Sequence, residues 1–175
     1  MKHFLFITLL IFSSTSFASS LAAPWDKLEV FGKLNVPYGR LGVTPGISIG
    51  ADVPIGQTPI DQYLRAGALF QTFFLPGTGA FLDFDALLRP VYPIHVTHGK
   101  LEAYVLIPIG FTLSPTYLGT DFGFNFAILP GVRYYINQNL GFFTELGFAH
   151  HSLFTSAYFP SVPSMQFAMG VTYHW

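Results

Sequence analysis

The side chains that can do chemistry in this 175-residue chain are few, and they fall at short, regular spacings. His150 and Ser152 stand two apart, an imidazole to take a proton and a hydroxyl to attack, as acyl transfer needs. Such a pair also requires a carboxylate to orient the ring. Asp83 and Asp85 are likewise two apart. On a strand that spacing puts both carboxylates on one face, where they can hold a cation, perturb one another's ionisation or be neutralised by a nearby Arg65. His95 and His98 offer two metal-ligating nitrogens three residues apart, with no third ligand in sight; metal sites want three or four, so solvated turn histidines are the plainer reading. There is no cysteine, which removes disulfides, thiol nucleophiles and thiolate metal sites at once.

The elements that must position these groups are strands. Eight segments alternate with a period of two: about 27–36, 46–54, 62–74, a fourth starting near 80, 100–112, 121–136, 139–150 and 165–175. One face of each is apolar. In the first it is Leu28, Val30, Gly32, Leu34 and Val36; in the fifth, Leu101, Ala103, Val105, Ile107, Ile109 and Phe111; in the last, Phe167, Met169, Val171, Tyr173 and Trp175. None of the eight apolar faces carries Asp, Glu, Lys or Arg. The opposite faces carry Glu29, Lys33, Asp52, Arg65, Asp83, Asp85, Arg89, Glu102, Asp121, Arg133 and Glu145. Pro90, Pro93, Pro108 and Pro130 fall inside these segments. Each lacks a ladder donor, so a bulge or strand end is expected there, and the face assignment is carried no further than Pro130.

Composition separates the two surroundings that would suit such strands. Half of the residues are apolar (51%) and only 10% are charged, yet beyond the first residues no apolar run reaches the 18 or so residues of a membrane helix. A chain that apolar satisfies its backbone in lipid by closing a barrel, with oily side chains outward and ionic ones toward the axis. A soluble sandwich would do the reverse. The N-terminus has the form of a secretory leader: Lys2, an apolar run from Phe4 to Phe12, and a Ser16-Phe17-Ala18 cleavage site. We therefore divide the chain into a signal peptide, 1–18, and a barrel domain, 19–175; a cut after Ala23 is the alternative. The mature chain keeps 7 Lys+Arg (8 less Lys2) against 9 Asp+Glu, which is no nucleic-acid footprint.

The terminal strand, ending on Trp175, resembles the C-terminal signature of bacterial outer-membrane barrels. With the strand count it makes the mature chain similar to small barrels of the OmpA/OmpX type. The resemblance implies an all-β fold, an eight-stranded antiparallel up-and-down transmembrane β-barrel. It also implies that Phe167, Met169, Val171, Tyr173 and Trp175 are an assembly signal read by the barrel-assembly machinery, and that outer-membrane lipid and lipopolysaccharide are the surroundings. Both termini would be periplasmic. The turns Gly56–Asp61, Thr97–Lys100 and Asn137–Asn139 would then face the periplasm, and the segments 37–45, 75–79, 113–120 and 151–164 would be external loops. Trp25, Tyr134, Tyr173 and Trp175 would form the inner aromatic girdle.

Around His150 the chain also resembles lipid A 3-O-deacylases, eight-stranded outer-membrane enzymes with a His-x-Ser-Asn motif and a later Glu. That resemblance implies His150 as base and Ser152 as nucleophile. Leu153 stands where that family has Asn, and no Asp or Glu follows Glu145. The favoured reading is non-enzymatic, with no cofactor or metal: a barrel serving envelope integrity or surface interaction. The inward charges form either a packed polar plug or, given seven acids to four cations, a narrow cation-preferring, porin-like pore. The aromatic loop Leu153–Pro163, with Phe154, Tyr158 and Phe159, is a candidate contact for a surface partner.

Overall fold

The computed structural model describes residues 28–39, 41–55, 63–75, 79–96, 99–116, 119–154 and 161–175. Its strands are β1 (Glu29–Gly39), β2 (Gly42–Val43), β3 (Gly46–Pro54), β4 (Leu64–Leu75), β5 (Gly79–Ile94), β6 (Lys100–Thr116), β7 (Gly119–Tyr135), β8 (Leu140–Leu153) and β9 (Val162–His174). Every long strand pairs antiparallel with the next, and β1 pairs with β9, which closes an eight-stranded barrel. The seam between first and last strands is continuous from Glu29↔His174 to Gly39↔Ser164. Two-residue β2 pairs only with the tip of β1, turning back through Gly42 at φ 80°, a left-handed conformation that glycine adopts without strain. We call the end that holds Glu29 and His174 the terminal end, and the opposite one the loop end.

Burial alternates along every long strand, and its sense is that of a barrel in lipid. Leu34, Ile49, Phe111 and Leu146 are each more than half exposed on the outer wall, whereas Glu29, Asp52, Asp83 and Arg133 are at most 2% exposed inside. Water would penalise that arrangement by roughly 25 cal/mol for each Å² of outward apolar surface; acyl chains would not. At the terminal end Tyr134, Tyr173 and Trp175 are exposed on the outer wall, joined by Tyr63 and Tyr92; Trp25 lies outside the described residues. At the loop end Tyr38, Phe74, Phe111, Phe122 and Phe154 form a second exposed aromatic ring. About ten strand residues separate the rings, or about 25 Å at the usual rise and tilt, which is the height of an outer-membrane apolar band.

The prolines behave differently from expectation. β5, β6 and β7 run through Pro90, Pro93, Pro108 and Pro130. Pairing lapses around three of them and resumes in unchanged register: Leu88↔Ile107 is followed by Val91↔Tyr104, Leu106↔Leu129 by Ile109↔Phe126, and Ile128↔Phe148 by Gly131↔Glu145. A proline deletes one donor but keeps an extended backbone, so strong pairing on both sides carries the strand across. Hence the outward face continues past Pro130 through Val132 and Tyr134. The segment 113–120, expected as a loop, is largely strand, paired from Leu113↔Phe122 to Thr116↔Gly119. The segment 37–45 is likewise shortened, by β1 reaching Gly39 and by β2. Residues 56–62, 97–98 and 155–160, which hold two of the expected turns in whole or in part and much of the aromatic loop, lie outside the described residues.

Candidate functional site

The lumen is built by the inward positions of all eight long strands, and it is filled in bands. Nearest the terminal end is an ionic cluster. Glu29 on β1 accepts from Arg89 Nη2 (2.6 Å), Tyr135 Oη (3.1 Å), Thr172 Oγ1 (2.7 Å) and Arg133 Nη1. Asp52 on β3 accepts from Arg65 Nε (2.5 Å) and Arg89 Nη2 (2.8 Å). Arg133 also donates through Nε (3.0 Å) and Nη2 (2.5 Å) to Glu102, whose other oxygen meets Lys100 (2.7 Å). Each guanidinium carbon lies over two rings: Arg89 over Phe31 (5.4 Å) and Tyr104 (5.5 Å), Arg133 over Tyr135 (5.0 Å) and Tyr104 (5.4 Å). Such stacking supplies attraction without needing water. Below this cluster a vestibule of about 430 Å³, walled by Arg65, Lys100, Glu102, Tyr135 and His174 among others, opens at the terminal end.

Above it the bore is apolar. Phe31, Leu69, Leu87, Leu106, Leu129 and Phe143 pack together, Leu106 and Leu129 with no exposed surface at all. The pair Lys33–Glu145 (2.7 Å) is embedded in the barrel, with Tyr104 Oη donating to the other oxygen of Glu145 (2.9 Å). Next comes a neutral-rich string: Gln166 donates to Asn35 (2.9 Å), Asn35 to Ser48, Ser48 to Gln71 (3.1 Å), and Gln71 to Asp85 (2.9 Å). Asp83 accepts from Thr112 (2.7 Å) and meets His151 Nε2 (2.8 Å). A cap of Phe73, Phe81, Leu153 and Val162 closes the loop end, with His151 stacked on Phe81 at 4.8 Å and edge-on to Phe73. A pocket of about 10 Å³ lies at the cap, between Phe73, Phe81, His151 and loop-end residues such as Leu41 and Thr44, room for about one water.

Of the eleven charged residues on the expected inward faces, ten are at most 6% exposed and Asp121 is partly exposed. Their pairing differs in one respect. Arg65 is engaged by Asp52 and lies 3.9 Å from Glu29; it does not meet Asp83 or Asp85, whose partners are His151, Thr112 and Gln71. Strand adjacency sets which face a residue shares, but Arg65 sits at the terminal end of β4 opposite Arg89, whereas Asp85 and Asp83 pair with Leu69 and Gln71 farther along that strand. His150 and Ser152 stand on the outer wall, and the carboxylate of Asp83 meets their inward neighbour His151. His95 is exposed beyond β5, and His98 lies outside the described residues. Among the described residues no three His, Asp or Glu side chains are placed to hold a metal. Sequence reasoning passed over Tyr104, Tyr135, Gln71, Thr112, Asn125 and His151. Their signal was available, since each shares the parity of a charged inward neighbour.

A closed, consecutive eight-stranded barrel with an apolar outer wall and a paired polar interior is the fold of the small outer-membrane barrels. Two solved structures of that kind are similar over most of this chain. Neisserial surface protein A (NspA) matches with a TM-score of 0.54 at 15% identity, covering 85% of this chain and 96% of its own. The N-terminal β-barrel domain of Pseudomonas aeruginosa OprF matches with a TM-score of 0.51 at 15% identity, again covering 85% and 96%. At such identity the likeness is one of fold. No protein-family model and no curated protein sequence matches the chain.

Proposed function

We infer that the protein is a non-enzymatic integral barrel of a bacterial outer membrane, exported by its leader and serving envelope integrity or surface interaction. The observation that carries this reading is the filled bore: an ionic cluster, an apolar layer and an aromatic cap lie in series, with Leu106 and Leu129 wholly buried between them. A pore needs its charges hydrated and unspent. Here Glu29, Asp52, Glu102 and Glu145 each have cationic partners within 2.7 Å. Asp83 engages inward His151 and not outward His150, which supports the non-enzymatic side of the reading. In this orientation the terminal end is periplasmic, and Phe154 begins the external aromatic loop that would meet a partner.

Two measurements test it. Purified protein in planar bilayers is expected to give no conductance steps, and regular ohmic steps would convert the reading to a channel. Deleting the gene is expected to sensitise the cell to detergents and large antibiotics or to reduce surface binding. A deletion strain unchanged in both respects would overturn the envelope role.

A further inference from the structure

The vestibule at the terminal end is a cavity of about 430 Å³ with an excess of positive charge in its wall. Arg65, Lys100 and Arg133 line it against Glu29 and Glu102. Adding Asp52 and Arg89, which complete the cluster behind the wall, leaves four cations to three carboxylates among the described residues. Farther up the bore Lys33 and Glu145 pair with one another and do not alter that balance. Three of the four cations are buried, whereas the side chain of Lys100 is 56% exposed. The surplus therefore surfaces at Lys100. Its ammonium has three donors; it lies over the ring of Tyr135 (5.1 Å), and Glu102 is its one carboxylate partner (2.7 Å). The rest of the wall is largely apolar, with Pro54, Val91 and Pro93 lining the same cavity.

We propose that this vestibule binds a small organic monocarboxylate, its carboxylate on the Lys100 ammonium and its apolar body against Pro54, Val91 and Pro93. The volume is that of a small-molecule site, and so is the make-up, an apolar wall with a few convergent polar groups. Charge selects the class of anion. One surplus positive charge is balanced by a monoanion, while a dianion such as a phosphate would set uncompensated negative charge beside Glu29 and Glu102. The apolar wall selects an organic anion over an inorganic one, because only the former covers that surface. An ammonium–carboxylate hydrogen bond is charge-assisted and among the stronger kinds. The floor is already in place, since Glu29 and Arg133 are each at most 2% exposed and held by one another. Binding at this mouth requires only the closed barrel and is independent of the envelope role.

Protein labelled with ¹⁵N-tyrosine is folded into phosphatidylcholine nanodiscs and titrated with sodium butyrate, total sodium being held constant with sodium chloride. The resonances missing in Tyr135→Phe and Tyr38→Phe identify a reporter in the vestibule wall and one at the opposite end. We expect butyrate to displace the Tyr135 resonance saturably and to leave Tyr38 unmoved. Acetate, shorter by two methylenes, should bind about tenfold more weakly. Butanamide, uncharged and of the same shape, should not displace Tyr135. Lys100→Met should weaken butyrate by about tenfold or more while keeping heat-modifiable migration, and Lys100→Arg should restore binding. A displacement that never saturates, or that is the same in Lys100→Met, would overturn the proposal and leave a merely solvated vestibule. Equal displacement by butanamide would remove the anion site, and tighter binding of dianionic propylphosphonate would replace the carboxylate by a phosphate-like ligand. Acetate equal to butyrate would refute the apolar subsite, and a shift shared by Tyr38 would mean that butyrate had entered the bilayer instead.

Discussion

Replacing Glu29 by Gln is the sharpest test of the ionic cluster. Glu29 is 1% exposed and takes hydrogen bonds from Arg89, Arg133, Tyr135 and Thr172. Gln keeps the shape but removes the charge, and it turns an amide N–H₂ toward two guanidinium groups. Arg89 would retain Asp52 and Arg133 would retain Glu102, yet one buried positive charge would be left over. Breaking a buried pair from one side costs about 3–5 kcal/mol. Lys100→Met is the internal control: its side chain is 56% exposed in the pair with Glu102, and pairs that open to solvent are worth about 0–1 kcal/mol. Urea titration in vesicles, followed by gel migration and by fluorescence of rim-exposed Trp175, gives both values. We expect Glu29→Gln to lose about 3–5 kcal/mol. If it loses no more than Lys100→Met, water reaches the cluster and the account of a dry ionic band is wrong.

Three further outcomes follow from the same geometry. Asp83→Ala strips partners from buried Thr112 and His151 and should cost about 1–3 kcal/mol in the same titration, whereas a neutral result would mean that the loop-end cap admits water. Ala68→Arg puts a charge on the outer wall between the two aromatic rings and should cost about 2–4 kcal/mol in a bilayer; no change would place that wall outside the lipid. Gly67→Ala would drive a methyl group into the carbonyl oxygen of Ala51 and the backbone of Asp52, so its yield of heat-modifiable barrel should collapse, and ordinary yields would show that β3 and β4 are farther apart than described.

Much of the architecture was readable because a barrel wall is a two-sided solvent boundary. Once one face must be apolar, parity assigns Glu29, Asp52, Arg133 and the rest to the bore without any knowledge of their partners. What parity leaves open is height. The stagger between strands decides that Arg65 meets Asp52 and that Asp83 meets His151, 68 residues away. The inward apolar layer was also missed. Phe31, Leu69, Leu106 and Leu129 sit among charged positions on the same faces, and an amphipathic pattern judged by its charges draws the eye away from them. At the prolines the local rule was sound but its reach was overstated: one lost donor interrupts two residue pairs, while the unbroken ladders to either side fix the register.

The seam between β1 and β9 sets an order of events. Thr172 donates to Glu29 across 143 residues of chain, so the partner set of that carboxylate is complete only when the last strand docks on the first, although Arg65 and Arg133 already have Asp52 and Glu102 on adjacent strands. Until then a growing sheet presents two raw edges and a half-built ionic cluster, and lengthy loop closure makes such a meeting slow. Sealing the cylinder and completing the partners of Glu29 are thus a single late step, and an intermediate stalled one strand short would be both adhesive and electrostatically unfinished.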